Sequence, residues 1–109
     1  MSTSTAQIAH VSLNKKANIY FDGKCISHSF QLADGSRKSA GVILPTASPL
    51  RFNTDAAEMM EGVSGSCRVK LAGAADWQDY GEGQSFHIPA HSSFEIACAE
   101  PYHYICHFA

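Results

Sequence analysis

An all-β domain is the fold class the sequence predicts, on three observations. From Ala17 onward the chain runs as short apolar stretches broken by Gly, Asp, Asn, Pro and Ser, the pattern of strands joined by turns. No stretch carries a helical apolar period over a useful length. The pairs Asp34-Gly35, Ser64-Gly65 and Glu82-Gly83 place residues at hairpin joints that accept positive φ or hydrogen-bond the local backbone.

In chain order, residues 1–16 are rich in Ser, Thr and Ala around Ile8, Val11 and Leu13, which predicts a flexible tail or an edge-strand extension. One domain is expected over residues 17–109. A strand at 24–32 runs up to the Asp34-Gly35 joint and is followed by strands at 38–44 and 50–53. Strands at 59–64 and 67–71 flank Ser64-Gly65. A strand at 85–88 follows Glu82-Gly83 and stops at Pro89, and strands at 93–99 and 102–108 complete the set. Only residues 54–58 suggest a helical turn, with Thr54 or Asp55 as its cap.

At 109 residues a second core would leave each half too small to bury enough surface. A hydrophobic content of 45% with 10% aromatics is that of a packed domain. A net charge of -2 with no run of Lys or Arg lacks the footprint of a protein that binds a nucleic acid polymer or an anionic membrane. Any nucleic-acid-related ligand is therefore small. No apolar run approaches the roughly 20 residues of a membrane helix, and the N-terminus has no secretory apolar core, so a cytoplasmic protein is expected. Cys25, Cys67, Cys98 and Cys106 form no C-x-x-C pair and read as small apolar side chains rather than zinc ligands or a disulfide framework.

Two motif fragments choose a barrel. Cupins carry a first motif, G-x-x-x-x-x-H-x-H-x-x-x-E-x-x-x-x-x-x-G, and a second, G-x-x-x-x-x-P-x-G-x-x-H-x-x-x-N. Glu58 stands seven residues before Gly65, as the E and final G of the first, and five residues separate Gly83 from Pro89, as at the start of the second. The chain thus resembles a single cupin (RmlC-like) jelly-roll β-barrel. A longer resemblance runs through Tyr20-Phe21-x-Gly23-Lys24, Phe30, Arg37, Glu58-x-Met60, Ser64-Gly65, Asp76-Trp77-Gln78-x-Tyr80, Phe86-x-x-Pro89-x-His91-Ser92-x-Phe94 and Glu100-Pro101-x-x-Tyr104-x-Cys106. On these residues the chain is similar to the pyrimidine/purine nucleoside phosphorylase family of small cupins. The resemblance implies a glycosyltransferase (pentosyltransferase) of broad base specificity, converting purine and pyrimidine nucleosides plus phosphate, reversibly, to free base and ribose 1-phosphate. It also implies a homodimer, with inorganic phosphate as co-substrate and no cofactor. The chain departs from the pattern in its longer tail, in its connection through Pro45 to Pro49, and in Ala90 where Pro-Gly-His would have Gly.

In register with the motifs, the histidine positions fall on Phe52, Thr54 and Phe94, which leaves Glu58 as the one ligand. One carboxylate does not make the three-ligand set of a catalytic transition metal, so no metal is expected. His103 and His107 lie four residues apart on one strand, roughly 13 Å, too far to share an ion. Phosphorolysis, like glycoside hydrolysis, passes through an oxocarbenium-like transition state, so it needs an anion clamp, a sugar clamp and a place for the base. Phe52 and Phe94 offer apolar faces that stack any base, or they fill the core. Glu58 can accept the ribose 2′- and 3′-hydroxyls and favour the cationic transition state, or pair with a basic residue. Arg37 is the leading phosphate ligand, or the partner of Glu58. His91 can donate to phosphate or protonate the leaving base, or stabilise a turn. Thr54 and Ser92 can each add a hydroxyl to phosphate, or form turns. Catalysis is therefore assigned to Arg37, Glu58 and His91, and substrate binding to Phe52, Thr54, Phe94 and Ser92. The alternatives are a metal-free small-molecule-binding cupin without activity, and a metal-dependent oxygenase or isomerase using His87 and His91.

Overall fold

The computed structural model describes residues 6–109. Along them run β1 (Ser12–Leu13), β2 (Asn18–Tyr20), a 3-10 turn at Phe21–Gly23, β3 (Cys25–Gln31), β4 (Arg37–Ile43), β5 (Leu50–Asn53) and β6 (Glu58–Ser64). They are followed by β7 (Cys67–Leu71), β8 (Gln78–Tyr80), β9 (Ser85–Ile88), β10 (Ser93–Ala97) and β11 (Tyr102–Phe108). One sheet has the order β1-β3-β4-β11-β6-β9, with β2 also on β3, and the other has β5-β10-β7-β8. Every pairing is antiparallel. This is the expected all-β jelly roll, built as two facing sheets that do not close into one hydrogen-bonded barrel.

The alternation of side chains decides which face is inside. On β11, Tyr102, Tyr104 and Cys106 are buried, whereas His103 is exposed and His107 half-exposed. Tyr102 pairs with Ile43, Tyr104 with Gly41 and Cys106 with Ser39 on β4, and Cys106 pairs with Met60 on β6. Cys25, Ile43, Met60, Phe86 and Ile88 of the large sheet meet Leu50, Cys67, Val69, Phe94 and Ile96 of the small one, and these side chains form the core. No helix among the described residues is long and apolar enough to cross a membrane.

The segment 1–16 includes residues 1–5, which lie outside the described residues, and Ser12–Leu13, which pairs with Gln31 and Phe30 of β3. Residues 54–58 do not form the helical turn the sequence suggested. Thr54 is buried and takes part in a hydrogen-bonded loop, and Glu58 already belongs to β6. The strand expected at 93–99 stops at Ala97.

Gly65 shows how closely the turns are fitted. Its φ is +79°, and a Cβ there would fall against the carbonyl oxygen of Pro101, which is backbone and cannot swing aside. Gly65→Ala is expected to destabilise the domain by about 2 kcal/mol or more, by combining left-handed strain with a backbone clash. A thermal melt at least ~8 °C below the parent's would match that loss for a domain of this size; an unchanged melt would show that the turn can relax.

Candidate active site

Between the sheets lies a cavity of about 170 Å3, lined among others by Ser27, Ser39, Phe52, Glu58, Phe94 and Tyr104. Its large-sheet wall is unusual for a core because the inward positions carry small polar side chains. Ser27 sits on β3 and Ser39 on β4, both buried. Asn18 donates from Nδ2 to Ser27 Oγ at 3.3 Å and to Ser29 Oγ at 3.1 Å. Ser39 is only 6% exposed. Its hydroxyl has no hydrogen-bond partner among the described residues, and since the Tyr102 hydroxyl is the one fully buried unpaired side-chain polar atom among them, the Ser39 hydroxyl is open to the cavity. Gly41, opposite Tyr104 in the ladder, has no side chain to occupy the place that the Tyr104 hydroxyl fills. That hydroxyl lies 3.5 Å from Cys25 Sγ.

Glu58, the first residue of β6, projects into the same space. The Cys106 thiol donates to its Oε1 at 3.5 Å. Burial pushes the Glu58 carboxyl above its ordinary range, against a smaller lowering by that thiol. The Cys106 thiol is itself pushed up, by burial first and then by the neighbouring carboxylate, so it stays protonated and acts as a donor rather than a nucleophile. No salt bridge reaches Glu58 among the described residues. The pair with a basic residue, one of the two roles the sequence left open, is not formed.

Phe52 on β5 and Phe94 on β10 are cross-strand partners. Their rings stack on each other at 5.4 Å with 16° between planes, and Phe94 is only 3% exposed. They meet the cavity as one wall of two rings, with no gap between them. Phe21 and Tyr20 each meet Phe52 in a T-shaped contact, with ring centroids 5.1 Å and 6.3 Å away. Both of these aromatics are partly exposed, Tyr20 at 46% and Phe21 at 41%. Phe21 and Asp22 have φ of 52° and 53°, a left-handed conformation that costs roughly 1–2 kcal/mol per residue for L side chains other than glycine.

The other expected site residues fall into two places. Arg37 opens β4, two residues before Ser39 and on the same face of the strand. It is exposed and has no ion-pair partner among the described residues. Thr54, His91 and Ser92 meet where the β5–β6 connection crosses the β9–β10 turn. Thr54 Oγ1 donates to the Pro89 carbonyl at 2.7 Å and accepts from the Ser92 N–H at 2.9 Å. The Thr54 N–H donates to the Ser92 carbonyl at 2.9 Å, and the His91 N–H to that of Asp55 at 3.2 Å. The Thr54 hydroxyl is thus engaged within the protein, while the exposed His91 is held with φ 54°. Phe52, Glu58 and Phe94 come together in the cavity, Thr54, His91 and Ser92 come together beside it, and Arg37 stands apart.

The metal positions of related barrels are occupied here by a stacked pair of phenyl rings, a threonine used as a loop tie and Glu58. Around Glu58 the nearest donor is a thiol kept protonated, so this set does not fit a catalytic transition metal. Sequence reasoning missed Ser27, Ser39, Tyr104 and Cys106 because it projected only the ligand positions of the motifs. The inward, every-second-residue placement of Tyr104 and Cys106 on one strand was the available signal.

On the outer face of the same strands, Lys38 Nζ lies 2.7 Å from His107 Nδ1 and His107 Nε2 lies 2.8 Å from Glu61 Oε1. An ammonium only donates, so Nδ1 accepts from it and Nε2–H donates to the carboxylate. His107 was expected only to be too far from His103 for a shared ion. The cross-strand neighbours that bridge it were not visible without the register.

Comparison with known proteins gives a consistent picture. The family model described as pyrimidine/purine nucleoside phosphorylase matches residues 15–108. A protein of Dechloromonas aromatica (strain RCB) named pyrimidine/purine nucleoside phosphorylase is 65% identical over 103 residues, which cover 94% of this chain and 98% of that one. The crystal structure of a protein of unknown function from Acinetobacter sp. ADP1 is 48% identical and covers 96% of this chain and 100% of its own, with a TM-score of 0.94. An RmlC-like cupin from Shewanella frigidimarina NCIMB 400 shares the fold alone, with a TM-score of 0.68 at 16% identity over 95% of this chain and 93% of that one.

Proposed function

The chain belongs to the pyrimidine/purine nucleoside phosphorylase family, and from that membership we propose that it catalyses reversible phosphorolysis of purine and pyrimidine nucleosides to free base and ribose 1-phosphate. The reaction transfers a pentosyl group to inorganic phosphate and uses no other cofactor. A phosphate oxygen forms the bond to C1′, the C1′–N bond breaks, and its electron pair leaves with the base, which takes up a proton. The observation that carries this reading is Glu58: a desolvated carboxylate without a cationic partner among the described residues, in a cavity walled by hydroxyls and aromatic rings.

Glu58 accepts the ribose hydroxyls and offsets the positive charge that develops at C1′. Phe52 and Phe94 form the apolar wall of the nucleoside site and exclude water. Arg37, exposed and unpaired among the described residues, presents its planar fork of donors to phosphate. His91 supplies a proton to the base or a hydrogen bond to phosphate. Ser92 is an additional phosphate donor, and Thr54 acts mainly through the loop it ties, with its oxygen as a further contact. We also take the protein to be a cytoplasmic homodimer. The exposed Leu13, Ile19 and Val63 support an association surface, which sedimentation would reveal.

The deciding experiment incubates purified protein with inosine and with uridine, with and without phosphate. Base release from both, dependent on phosphate, is expected, and release that ignores phosphate would refute the reading. Arg37→Ala should raise the KM for phosphate by at least about tenfold, the loss of one charge-assisted hydrogen bond, with little change in the KM for nucleoside. A variant with unaltered phosphate dependence would remove Arg37 from that role.

A further inference from the structure

We propose that the cavity takes only the pentose, with Ser39 as a sugar-hydroxyl partner, and that the base stays at the mouth on a platform made by Tyr20 with Phe21 behind it. The inference rests on the nucleoside phosphorylase reading and assigns the two halves of the substrate to two sets of residues.

Size argues for the division. A cavity of about 170 Å3 is well below the roughly 300–1,000 Å3 of pockets that enclose a whole drug-sized ligand. That suits a part of a nucleoside, such as the pentose ring with its hydroxyls, rather than the whole. The lining fits the same half. Ser27, Ser39, Tyr104 and Glu58 bring hydroxyls and a carboxylate to one wall, as a polyhydroxyl ring needs, and the Ser39 hydroxyl opens onto the cavity without a protein partner among the described residues. A ligand hydroxyl would satisfy it.

The base needs a flat apolar face, and the interior does not offer one that is free. Phe94 is buried, and one face of Phe52 is covered by it at 5.4 Å. Tyr20 lines the cavity yet is 46% exposed, and Phe21 is 41% exposed beside it. Two large aromatics left in solvent at a cavity mouth are otherwise unfavourable. The left-handed backbone at Phe21 and Asp22 is the kind of local strain that concentrates at ligand clamps. It accompanies a T-shaped contact of Phe21 with Phe52 at 5.1 Å, which fixes the Tyr20-Phe21 pair relative to the cavity. A base stacked on a ring outside the cavity has its polar edges in water. Neither purine nor pyrimidine edges are read, and both ring sizes fit.

The test measures equilibrium binding of nucleoside, free base and ribose 1-phosphate separately, by calorimetry, to the full chain and to three variants. Tyr20→Ala should weaken inosine, hypoxanthine and uracil by about tenfold to a hundredfold, the scale of one base-stacking ring, and leave ribose 1-phosphate unchanged. Tyr20→Phe should bind all of them as the parent does. Ser39→Ala should show the converse, weaker nucleoside and ribose 1-phosphate with unchanged free base. The platform is overturned if Tyr20→Ala binds base normally, or loses ribose 1-phosphate to the same degree. The sugar assignment is overturned if Ser39→Ala weakens free base. Should the parent bind nucleoside but release no base with phosphate, the phosphorylase reading fails, and the binding partition is still read from the same titrations.

Discussion

Glu58→Gln is expected to lower kcat by roughly 10²–10³-fold, the range for removing one preorganised electrostatic contact to a transition state, without destabilising the protein near neutral pH. Both halves follow from one geometry. The carboxylate is desolvated, and its one hydrogen-bond donor among the described residues is a thiol at 3.5 Å. The missing compensation makes the charge effective toward a cationic sugar and a burden to the fold. Because burial raises the Glu58 pKa above 4.5 in the folded state, its favourable contribution is complete below that value and is lost as pH rises through the folded pKa. Glutamine does not titrate, so the variant should melt at or above the parent at pH 7, with the gap closing toward pH 4. Activity runs in the opposite sense. The parent needs the ionised form, so the acid limb of kcat/KM should lie above the ordinary carboxylate range and disappear in the variant. Full activity in Glu58→Gln, or an acid limb that survives it, would remove the carboxylate from catalysis.

Thr54→Val should be the most damaging near-isosteric change in the loops. It deletes an acceptor for the Ser92 N–H and a donor to the Pro89 carbonyl at a side chain only 5% exposed, and leaves both backbone groups without that partner. A loss of about 2–4 kcal/mol follows, seen as a fall of roughly 10–20 °C in Tm. Thr54→Ser keeps the oxygen and should recover most of it. If valine melts like the parent, water or a shifted loop replaces the tie, and the threonine would then be free to serve a ligand.

The strands and the interior differed in how readable they were. The strands β5, β7 and β9 appear at the expected residues because Gly, Pro or polar residues punctuate both ends, and β11 because Pro101 marks its start. The short β1, β2 and β8 are edge pieces whose existence depends on a neighbour, and two or three residues carry no period. Thr54-Asp55 resembles a helix cap, but tertiary hydrogen bonds to the next turn outcompete a local helix. For the site, the motif register placed Phe52, Glu58 and Phe94 at the cavity directly. The hydroxyl wall was not legible because Ser27, Ser39 and Gly41 look like solvent-facing strand residues until their partners across the ladder are known. Tyr20 and Phe21 were noted only as matches of a pattern, since the backbone conformation that brings Phe21 onto Phe52 leaves no clear local signature.

The position of β11 bears on how the molecule is made. It is translated after every other strand among the described residues, yet it lies between β4 and β6 in the middle of the large sheet. Until it emerges from the ribosome, β4 and β6 each present an unpaired edge, and the Ser39 side of the cavity has no continuous link to the Glu58 side. Among the described strands the sheet is therefore joined by the one that comes latest in chain order, in a long-range step. The nascent chain is exposed to edge-to-edge association until then, and a stop codon just before Tyr102 would remove the join between two half-sheets.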